Sequence, residues 1–312
     1  MIISASRRTD IPAYFSDWFL HRVNEKYVYV RNPINTRQVS RIDLSPDIVD
    51  CIVFWSKNPK PLLPKLHNLR DYMYYFQFTL NPYEKDIEKQ LPSLEDRLHT
   101  FIELANKIGK KRVIWRYDPI LLTEKYTISW HIQQFEKMAK LLKNSTEKCI
   151  FSYNDTYAKN KNALKSLGVS ELSLSEKNVL AKAFSDIAQA HGFSLDTCAE
   201  DIDLALYHIG HARCMDDVLI SQLLHCPLDA KKDPTQRPFC GCIQSIDIGL
   251  YNTCQNQCLY CYANHSPQLL KKNIATYQPY SPLLCSNLTE LDKISERKVK
   301  SLKNLQGDIF SL

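Results

Sequence analysis

The sequence has little glycine and no long apolar run, and these shortages exclude several classes of protein. Only 7 of the 312 residues are Gly. They form no Gly-x-Gly-x-x-Gly fingerprint and no Walker loop, which excludes the common glycine-rich nucleotide sites. No stretch approaches the roughly 18 consecutive apolar residues that a membrane-spanning helix requires. The first residues, MIISASRRTDIP, lack the basic and apolar segments of a signal peptide. We therefore expect a cytoplasmic protein without a membrane partner.

The charge pattern shows no concentrated basic surface. Apolar residues make up 44% and charged residues 24% of the chain, as in ordinary globular proteins with a large core. The formal net charge is +6 at pH 7, but the densest basic segment, DKISERKVKSLKNL, also contains acidic residues. A solvated surface explains this better than a nucleic-acid interface, which needs a compact basic stripe with interleaved aromatic residues.

Cysteine, in contrast, is abundant and clustered. The chain has 11 Cys, of which eight lie between residues 198 and 261. Disulfides are rare in a reducing cytoplasm, so this clustering favours metal ligation. The densest group is the C-x3-C-x2-C segment of Cys254, Cys258 and Cys261. Three thiols on one loop suit an iron–sulfur cluster with one open iron, whereas zinc usually takes four ligands; chemistry alone leaves both assignments open.

A second group of four thiols lies outside this loop. Cys198 ends a predicted strand, Cys214 follows in a segment with little strand pattern, and Cys240 and Cys242 form the sequence CGC. Four cysteines often hold a 4Fe-4S cluster, so this set is a candidate second cluster, and a structural zinc ion is the alternative. Cys226 is a spare that can replace one member of the set.

Short β-rich runs alternate with helix-like segments along the chain. The runs are Ile2–Ser6, Asp50–Trp55, Tyr74–Leu80, Arg112–Tyr117, Cys149–Tyr153, Phe193–Thr197 and Ser245–Tyr251. Two of the segments between them, SLEDRLHTFIELANKIG and SEKNVLAKAFSDIAQAHG, have apolar residues at helical spacing, a Ser at the start and a Gly at the end. This alternation predicts an α/β fold with a parallel sheet, built as a complete or partial (β/α) barrel.

The barrel is expected to occupy most of the chain as one domain. We predict that residues 1–264 form it, including a Cys-rich insertion at residues 201–244 and a cysteine loop at residues 252–264. Residues 265–312 are predicted to form a mainly helical C-terminal tail that packs on the barrel.

Polar residues follow six of the seven predicted strands. They are Arg7, Arg8, Asp10, Ser56, Lys57, Asn58, Asn81, Arg116, Asp118, Asn154, Asp155 and Glu200. Each of them alone is also typical of a turn or a helix cap. The carboxyl ends of barrel strands build the active site, so together they predict a polar barrel mouth. The candidate catalytic residues are Arg7, Arg8, Asp10, Lys57, Arg116 and Asp118, of which the four cations favour an anionic substrate.

The cysteine loop resembles the signature of radical S-adenosylmethionine enzymes. Tyr260 lies between the last two cysteines of C-x3-C-x2-C, and Tyr262 follows the last one. The resemblance implies that Cys254, Cys258 and Cys261 hold a 4Fe-4S cluster and that S-adenosylmethionine binds its fourth iron, with Tyr262 near the adenine. One-electron cleavage of the cofactor then gives methionine and a 5′-deoxyadenosyl radical, which abstracts a hydrogen atom from the substrate.

The chain also resembles a bacterial family known as domain of unknown function 1848, which is described by a radical-SAM-like cysteine cluster near its C-terminus. The stretches that carry the resemblance span nearly the full length. They are SASRRTDIPA, FWSKNP, FTLNPY, RYDPI, DTCAE, CGCIQSIDIGLYNTC and CLYCYAN.

The late position of the cysteine loop predicts a circularly permuted barrel. In most radical-SAM enzymes the three cysteines follow the first strand, whereas here they follow the last predicted strand, Ser245–Tyr251. A permuted barrel requires that this strand lie parallel and adjacent to Ile2–Ser6.

One departure from the radical-SAM pattern concerns the second strand, which in those enzymes commonly ends in a Gly-Gly-Glu-like motif that binds the cofactor's amino group. SASRRTD stands there instead, so backbone carbonyls or Asp10 would replace that motif, and Arg7 or Arg8 would meet the cofactor carboxylate.

The function predicted from these patterns is that of a radical-SAM-like iron–sulfur enzyme. Its partners would be an unknown small-molecule or anionic substrate and an electron donor such as a flavodoxin or ferredoxin. One alternative is a non-catalytic iron–sulfur protein for electron transfer or redox sensing, in which the protein itself caps the fourth iron. The other is a zinc-stabilised nucleic-acid-binding module, and nucleic acid as a substrate has only weak support from the sequence.

Overall fold

A computed structural model of the protein describes residues 1–154 and 160–305. The strands in this part of the chain are β1 (Ile2–Ala5), β2 (Tyr27–Arg31), β3 (Gln38–Asp43), β4 (Cys51–Ser56), β5 (Tyr74–Thr79), β6 (Val113–Ile120), β7 (Lys148–Tyr153), β8 (Ser194–Thr197), β9 (Gly210–His211), β10 (Ile246–Asp247) and β11 (Lys293–Glu296). The α-helices are α1 (Ile11–Tyr14), α2 (Ser16–Asn24), α3 (Leu94–Ile108), α4 (Ile128–Leu142), α5 (Lys161–Ser166), α6 (Leu174–His191), α7 (Asp217–Leu224) and α8 (Pro267–Ala275). Short 3₁₀ helices cover Leu63–Leu69, Lys110–Arg112 and Ala205–Tyr207.

The centre of the molecule is an eight-stranded sheet in which every neighbouring pair is parallel. Its strand order is β10-β1-β4-β5-β6-β7-β8-β9. All seven predicted strands lie in it, because their apolar side chains are buried. Helices α4 and α6 cover it and meet through Phe135 and Phe184, whose rings stack 3.9 Å apart. The predicted parallel α/β fold is confirmed.

The pairing of β1 with β10 joins two strands that are far apart in the sequence. Ile3 pairs with Ile246, and the carboxylate of Asp247 accepts hydrogen bonds from Ser4 Oγ at 2.8 Å and Ser6 Oγ at 2.6 Å. The predicted parallel contact between these two strands is therefore confirmed. In the described part of the chain, β9 and β10 are the two ends of the sheet.

Glycine is required two residues after β10, where the chain passes very close to the end of β1. A Cβ atom at Gly249 would lie 2.0 Å from Ser6 Oγ and 2.6 Å from Ser6 Cβ. A side chain there would force the two segments apart, so Gly249 permits the close approach that carries the chain into the cysteine loop.

The two predicted helices form, with end signals close to those expected. Helix α3 begins after Ser93, whose side chain accepts a hydrogen bond from a backbone N–H of the first turn, and ends at Gly109, which has φ +90°. Helix α6 begins after Ser173, two residues before the predicted start, because Ser173 and Glu176 form a capping box. It ends at Gly192 in the left-handed conformation.

The second sheet and the tail differ from what the sequence predicts. Strands β2 and β3 form an antiparallel pair, and β11 from the tail joins the free edge of β3 in parallel. The predicted mainly helical tail is wrong for residues 265–305, which contain one nine-residue helix and a strand. Pro279 and Pro282 follow that helix and disfavour its continuation. Residues 306–312 of the predicted tail lie outside the described residues.

None of the helices described in the structure is both long and apolar enough to cross a membrane.

Candidate functional site

A cavity of about 620 Å³ opens at the carboxyl edge of the parallel sheet. It is lined by all the candidate catalytic, cofactor-binding and metal-ligating residues except Cys258, namely Arg7, Arg8, Asp10, Lys57, Arg116, Asp118, Cys198, Cys214, Cys240, Cys242, Cys254, Cys261 and Tyr262. Of the other polar residues expected at this edge, Ser56 and Asn154 line the cavity, whereas Asn58, Asn81 and Glu200 do not. Parallel strands place their carboxyl ends on one edge of the sheet. This brings together residues that are far apart in the sequence, such as Arg7 and Tyr262, which are 255 positions apart. Asp155, which was also expected at this rim, lies outside the described residues.

The cysteine loop presents two of its three thiols to this cavity. Cys254 and Cys261 are partly exposed, whereas Cys258 is buried in an apolar cluster. Burial raises the pKa of the Cys254 and Cys258 thiols well above the ordinary value. A positive metal centre would favour the thiolate forms at these positions. The loop is also tied to the end of β1, because the Tyr262 hydroxyl donates a hydrogen bond to the Arg7 carbonyl at 3.0 Å.

Asp10 connects the end of β1, the end of β4 and the cysteine loop. Its buried carboxylate accepts hydrogen bonds from Ser56 Oγ at 2.7 Å, the Lys57 backbone N–H at 2.9 Å and Asn256 Nδ2 at 3.1 Å. It also caps helix α1 through the Ala13 N–H at 3.1 Å. Burial raises the pKa of Asp10 in spite of these four donors. The geometry therefore gives Asp10 a clear role in holding the cysteine loop in place.

The two arginines after β1 have different surroundings. Arg8 packs over the ring of Tyr251 at 5.3 Å, and its Nε lies 3.8 Å from the carboxylate of Asp247. Arg7 donates from Nη2 to Ser245 Oγ at 3.2 Å. Asp247 thus balances the charge of Arg8, whereas the guanidinium group of Arg7 donates a hydrogen bond to the hydroxyl group of Ser245.

Lys57 belongs to a buried ion network that the sequence analysis did not foresee. Its Nζ lies 3.0 Å from Glu88 Oε1 and 2.5 Å from the Tyr260 hydroxyl. Glu88 also accepts from Arg97 Nη1 at 3.2 Å and from the Tyr260 hydroxyl. Although burial opposes ionisation, Lys57 and Arg97 hold the pKa of Glu88 below its ordinary value. Glu88 lies in the sequence DIEKQL, which reads as solvated surface, so no local signal identified it.

The second set of thiols, called the insertion set below, consists of Cys198 directly after β8 and Cys214, Cys240 and Cys242 from the insertion, and its members lie next to one another. Cys198 Sγ and Cys214 Sγ are 3.5 Å apart, Cys214 interacts with Cys242, and Cys242 interacts with Cys240. The hydrogen bond with Cys242 lowers the pKa of Cys240 to about 7. The backbone N–H of Met215 points at Cys242 Sγ at 3.4 Å.

Cys226 does not join this group. Its thiol donates to the carbonyls of Pro227 at 3.5 Å and Asn304 at 3.8 Å. It therefore serves the contact between the insertion and the tail, and the predicted set of four does not need it as a substitute.

Arg116 connects the insertion thiols to the sheet. Its Nη1 donates to Cys214 Sγ at 2.9 Å, its Nε donates to Asp118 at 3.0 Å, and its guanidinium lies 5.1 Å from the centre of the Trp55 ring. Asp118 accepts a further hydrogen bond from Ser152. Arg116 and Asp118 are thus a charge pair whose cationic end faces the thiols.

Neither cysteine set is already closed around an ion. Over residues 1–154 and 160–305, no three His, Cys, Asp or Glu side chains are grouped so as to hold a metal ion as they stand. The donor chemistry nevertheless fits: three thiols share one loop beside a cavity, and four thiols are contiguous in the insertion set. Binding a metal at either set would require the side chains to rotate toward a common point.

The comparisons with known proteins give one match. The family described as domain of unknown function (DUF1848) matches residues 2–263, which include both cysteine sets and every strand of the central sheet. No curated protein and no solved structure matches the chain.

Proposed function

The chain belongs to the DUF1848 family, and on that premise we propose that it is a radical-SAM-like iron–sulfur enzyme. The observation that carries this proposal is the cavity, in which Cys254 and Cys261 face the same space as the polar ends of the parallel strands. A 4Fe-4S cluster held by the loop would supply the electron that cleaves S-adenosylmethionine into methionine and a 5′-deoxyadenosyl radical. The substrate would be a small molecule, and a flavodoxin or ferredoxin would deliver the electron.

The strand order supports a circularly permuted barrel. Strand β10 precedes the cysteine loop and lies at one end of the sheet beside β1, and β4, β5, β6 and β7 follow in chain order. In this arrangement β10 takes the place of the first barrel strand, and residues 1–264 form one barrel with the insertion at residues 201–244. The permutation would explain why the cysteines lie late in the sequence and still at the mouth of the barrel.

The surroundings of the loop support a metal centre that keeps one position open. Cys258 is fixed from behind by an apolar cluster that includes Tyr83 and Ile87, while Cys254 and Cys261 border the cavity. A centre held from one side by three thiolates would expose its remaining position to a ligand in the cavity. Metal sites that react with bound molecules keep a position open in this way, whereas structural sites are closed.

Arg7 and the backbone at the end of β1 are the best candidates for contacts to the cofactor. Asp10 already accepts four hydrogen bonds, and Arg8 is placed beside Asp247 and Tyr251. We therefore assign the cofactor carboxylate to Arg7, because a guanidinium can contact both carboxylate oxygens. Backbone carbonyls of the SASRRTD segment would take the amino group.

The insertion thiols fit a closed centre. Four thiolates around one ion with a metal–sulfur distance of about 2.3 Å lie roughly 3.8 Å from one another, by tetrahedral geometry. The separation of 3.5 Å between Cys198 and Cys214 is close to that value. For this one pair the spacing favours a single ion such as zinc over the second 4Fe-4S cluster that the sequence suggests.

Anaerobic cofactor cleavage tests the proposed function. The protein is reconstituted with iron and sulfide, reduced with dithionite and mixed with S-adenosylmethionine, and 5′-deoxyadenosine is measured. We expect the product from the native chain and from the control Cys226→Ala, and background levels from Cys258→Ala.

One outcome would overturn the enzyme assignment. If the native protein binds a complete, reducible cluster and forms no 5′-deoxyadenosine, the non-catalytic electron-transfer function becomes the better account.

A further inference from the structure

A group of buried charges lies directly behind the cysteine loop. Glu88 and Arg97 are each only 1% exposed, and the Lys57 ammonium reaches Glu88 at 3.0 Å. Arg97 contacts the other oxygen of the same carboxylate at 3.2 Å. Arg97 and Tyr260 also contact the neutral residue Asn81. Arg97 Nη2 donates to the Asn81 carbonyl at 3.1 Å, and Asn81 Nδ2 donates to the Tyr260 hydroxyl at 3.2 Å.

This group carries one surplus positive charge. It contains two cations, Lys57 and Arg97, and one carboxylate, Glu88. Tyr260 adds no charge, because its hydroxyl donates its proton in a hydrogen bond to Glu88 while it accepts from Lys57 and Asn81. The nearby carboxylate of Asp118 is paired with Arg116. A surplus buried charge is unfavourable unless another group of opposite sign balances it.

The surplus charge faces Cys258. Glu88 forms an antiparallel β-bridge with Cys258, and the Leu259 N–H donates to the Ile87 carbonyl at 3.1 Å. These backbone contacts bind the cysteine loop to the segment that carries the Glu88 carboxylate. The Lys57 ammonium lies 5.1 Å from the centre of the Tyr260 ring, which is two residues from Cys258.

The opposite side of the loop has a different charge environment. There Asp10 holds Asn256 through a hydrogen bond of 3.1 Å, and it is Cys254 that lies in the field of its carboxylate. Cys254 is thus next to a carboxylate, whereas the group of charges next to Cys258 has a net positive charge.

We propose that Lys57, held in place by Glu88 and Arg97, is the counter-charge of the metal centre on the cysteine loop and raises its reduction potential. This inference rests on the proposed function. Three thiolates on an oxidised 4Fe-4S core give a net charge of −1, and one electron from a low-potential donor makes it −2. A buried cation beside the cluster stabilises the more negative state, so the electron is accepted at a higher potential.

The test is a redox titration of reconstituted protein, followed by its visible absorption. Lys57→Met is expected to lower the midpoint potential, because it removes the cation. Glu88→Gln is expected to raise it, because it removes the carboxylate that partly cancels that cation. Lys57→Arg keeps the charge and should retain most of the native potential. The matched control is Lys65→Met, since Lys65 contacts Asp17 at 2.6 Å and Ser16 Oγ at 3.1 Å and does not line the cavity.

The possible results separate this inference from the proposed function. Variants that bind native amounts of iron and sulfide but share the native potential would overturn the role of Lys57 and leave the enzyme assignment intact. A native chain that binds no cluster at all would overturn both. If Lys57→Met binds no cluster, the other two variants decide. The inference then requires that Glu88→Gln raise the midpoint potential and that Lys57→Arg preserve it, and any other pattern contradicts the inference.

Discussion

The cysteine loop and the insertion set differ in where their thiols lie. Cys258 is buried behind the cavity and Cys254 and Cys261 border it, with charged groups on either side of the loop. In the insertion set, Cys198 and Cys214 are 3.5 Å apart and Arg116 is the neighbouring cation. Two thiol sets on one cavity therefore have different surroundings, and the proposal of an open centre at the loop and a closed one in the insertion set starts from this difference.

The two sets also differ in how they are assembled. The loop set lies on eight consecutive residues after β10, so a local turn brings its thiols together. The insertion set comes from three segments, at residue 198, residue 214 and residues 240–242. Closing these longer segments costs chain entropy, and a bound metal would offset that cost. A metal in the insertion should therefore contribute more to folding than one in the loop.

The largest effect is expected from removing one insertion thiol. Cys214→Ala should lower the free energy of unfolding by on the order of 4 kcal/mol, because the variant loses a metal ligand and leaves Arg116 without its sulfur contact. Chemical denaturation and metal analysis together measure this. Cys258→Ala is the matched loop variant and should destabilise the protein less while losing iron. Equal destabilisation by both variants would remove the distinction between the two sets.

A smaller effect is expected at the junction that carries the loop. Gly249→Ala should destabilise the protein by about 3 kcal/mol, since its Cβ would lie 2.0 Å from Ser6 Oγ. It should also reduce iron binding at the loop and leave the insertion metal in place. The control is Gly109→Ala, where no atom lies within 4 Å and only the positive φ is strained. Loss of both metals in Gly249→Ala would show that the two sets depend on the same junction.

The smallest effect concerns His131, whose two polar partners are a hydroxyl and a carbonyl group and not a thiol. Burial lowers the pKa of His131 from 6.5 to about 4, with its ring between the Tyr117 hydroxyl and the Leu121 carbonyl. The folded state therefore binds this proton less readily than the unfolded state. The contribution of neutral His131 to the free energy of unfolding is complete above pH 6.5 and is lost as the pH falls from 6.5 toward 4. The loss amounts to about 2 kcal/mol at pH 5. His131→Gln should flatten this slope in denaturation curves.

This slope separates proton effects in the core from metal effects at the thiols. We expect His131→Gln to change it equally with and without added metal. A metal-dependent change in the slope would mean that helix α4 is coupled to one of the thiol sets.

The sequence predicted the sheet well because its strands carry their own signal. Runs such as Asp50–Trp55 are apolar on both faces, as strands covered on both sides must be, and the polar residues after them mark the cavity edge. Cysteine spacing likewise predicts metal ligands without knowledge of the fold, and that assignment stays a prediction. The pairing of β1 with β10 followed from a resemblance, not from any local pattern.

The features that the sequence did not predict depend on contacts between distant segments. Glu88 and Arg97 look like surface residues, and only the fold buries them behind Tyr260. Strand β11 forms because β3 presents a free edge, and the paired Arg31 and Asp292 hold the tail against the second sheet. Such partners are up to 261 positions apart, which no periodicity within a segment can reveal.

The open position at the cysteine loop is the central claim, and electron paramagnetic resonance of the reduced, reconstituted protein tests it most directly. The spectrum is recorded with and without S-adenosylmethionine, in the native chain and in Cys258→Ala, which should lack the loop cluster. We predict that the cofactor changes the cluster signal of the native chain and produces no change in Cys258→Ala, because the ligand enters the open position beside Cys254 and Cys261. A cluster signal that stays the same after the cofactor is added would contradict an open reactive centre at the loop.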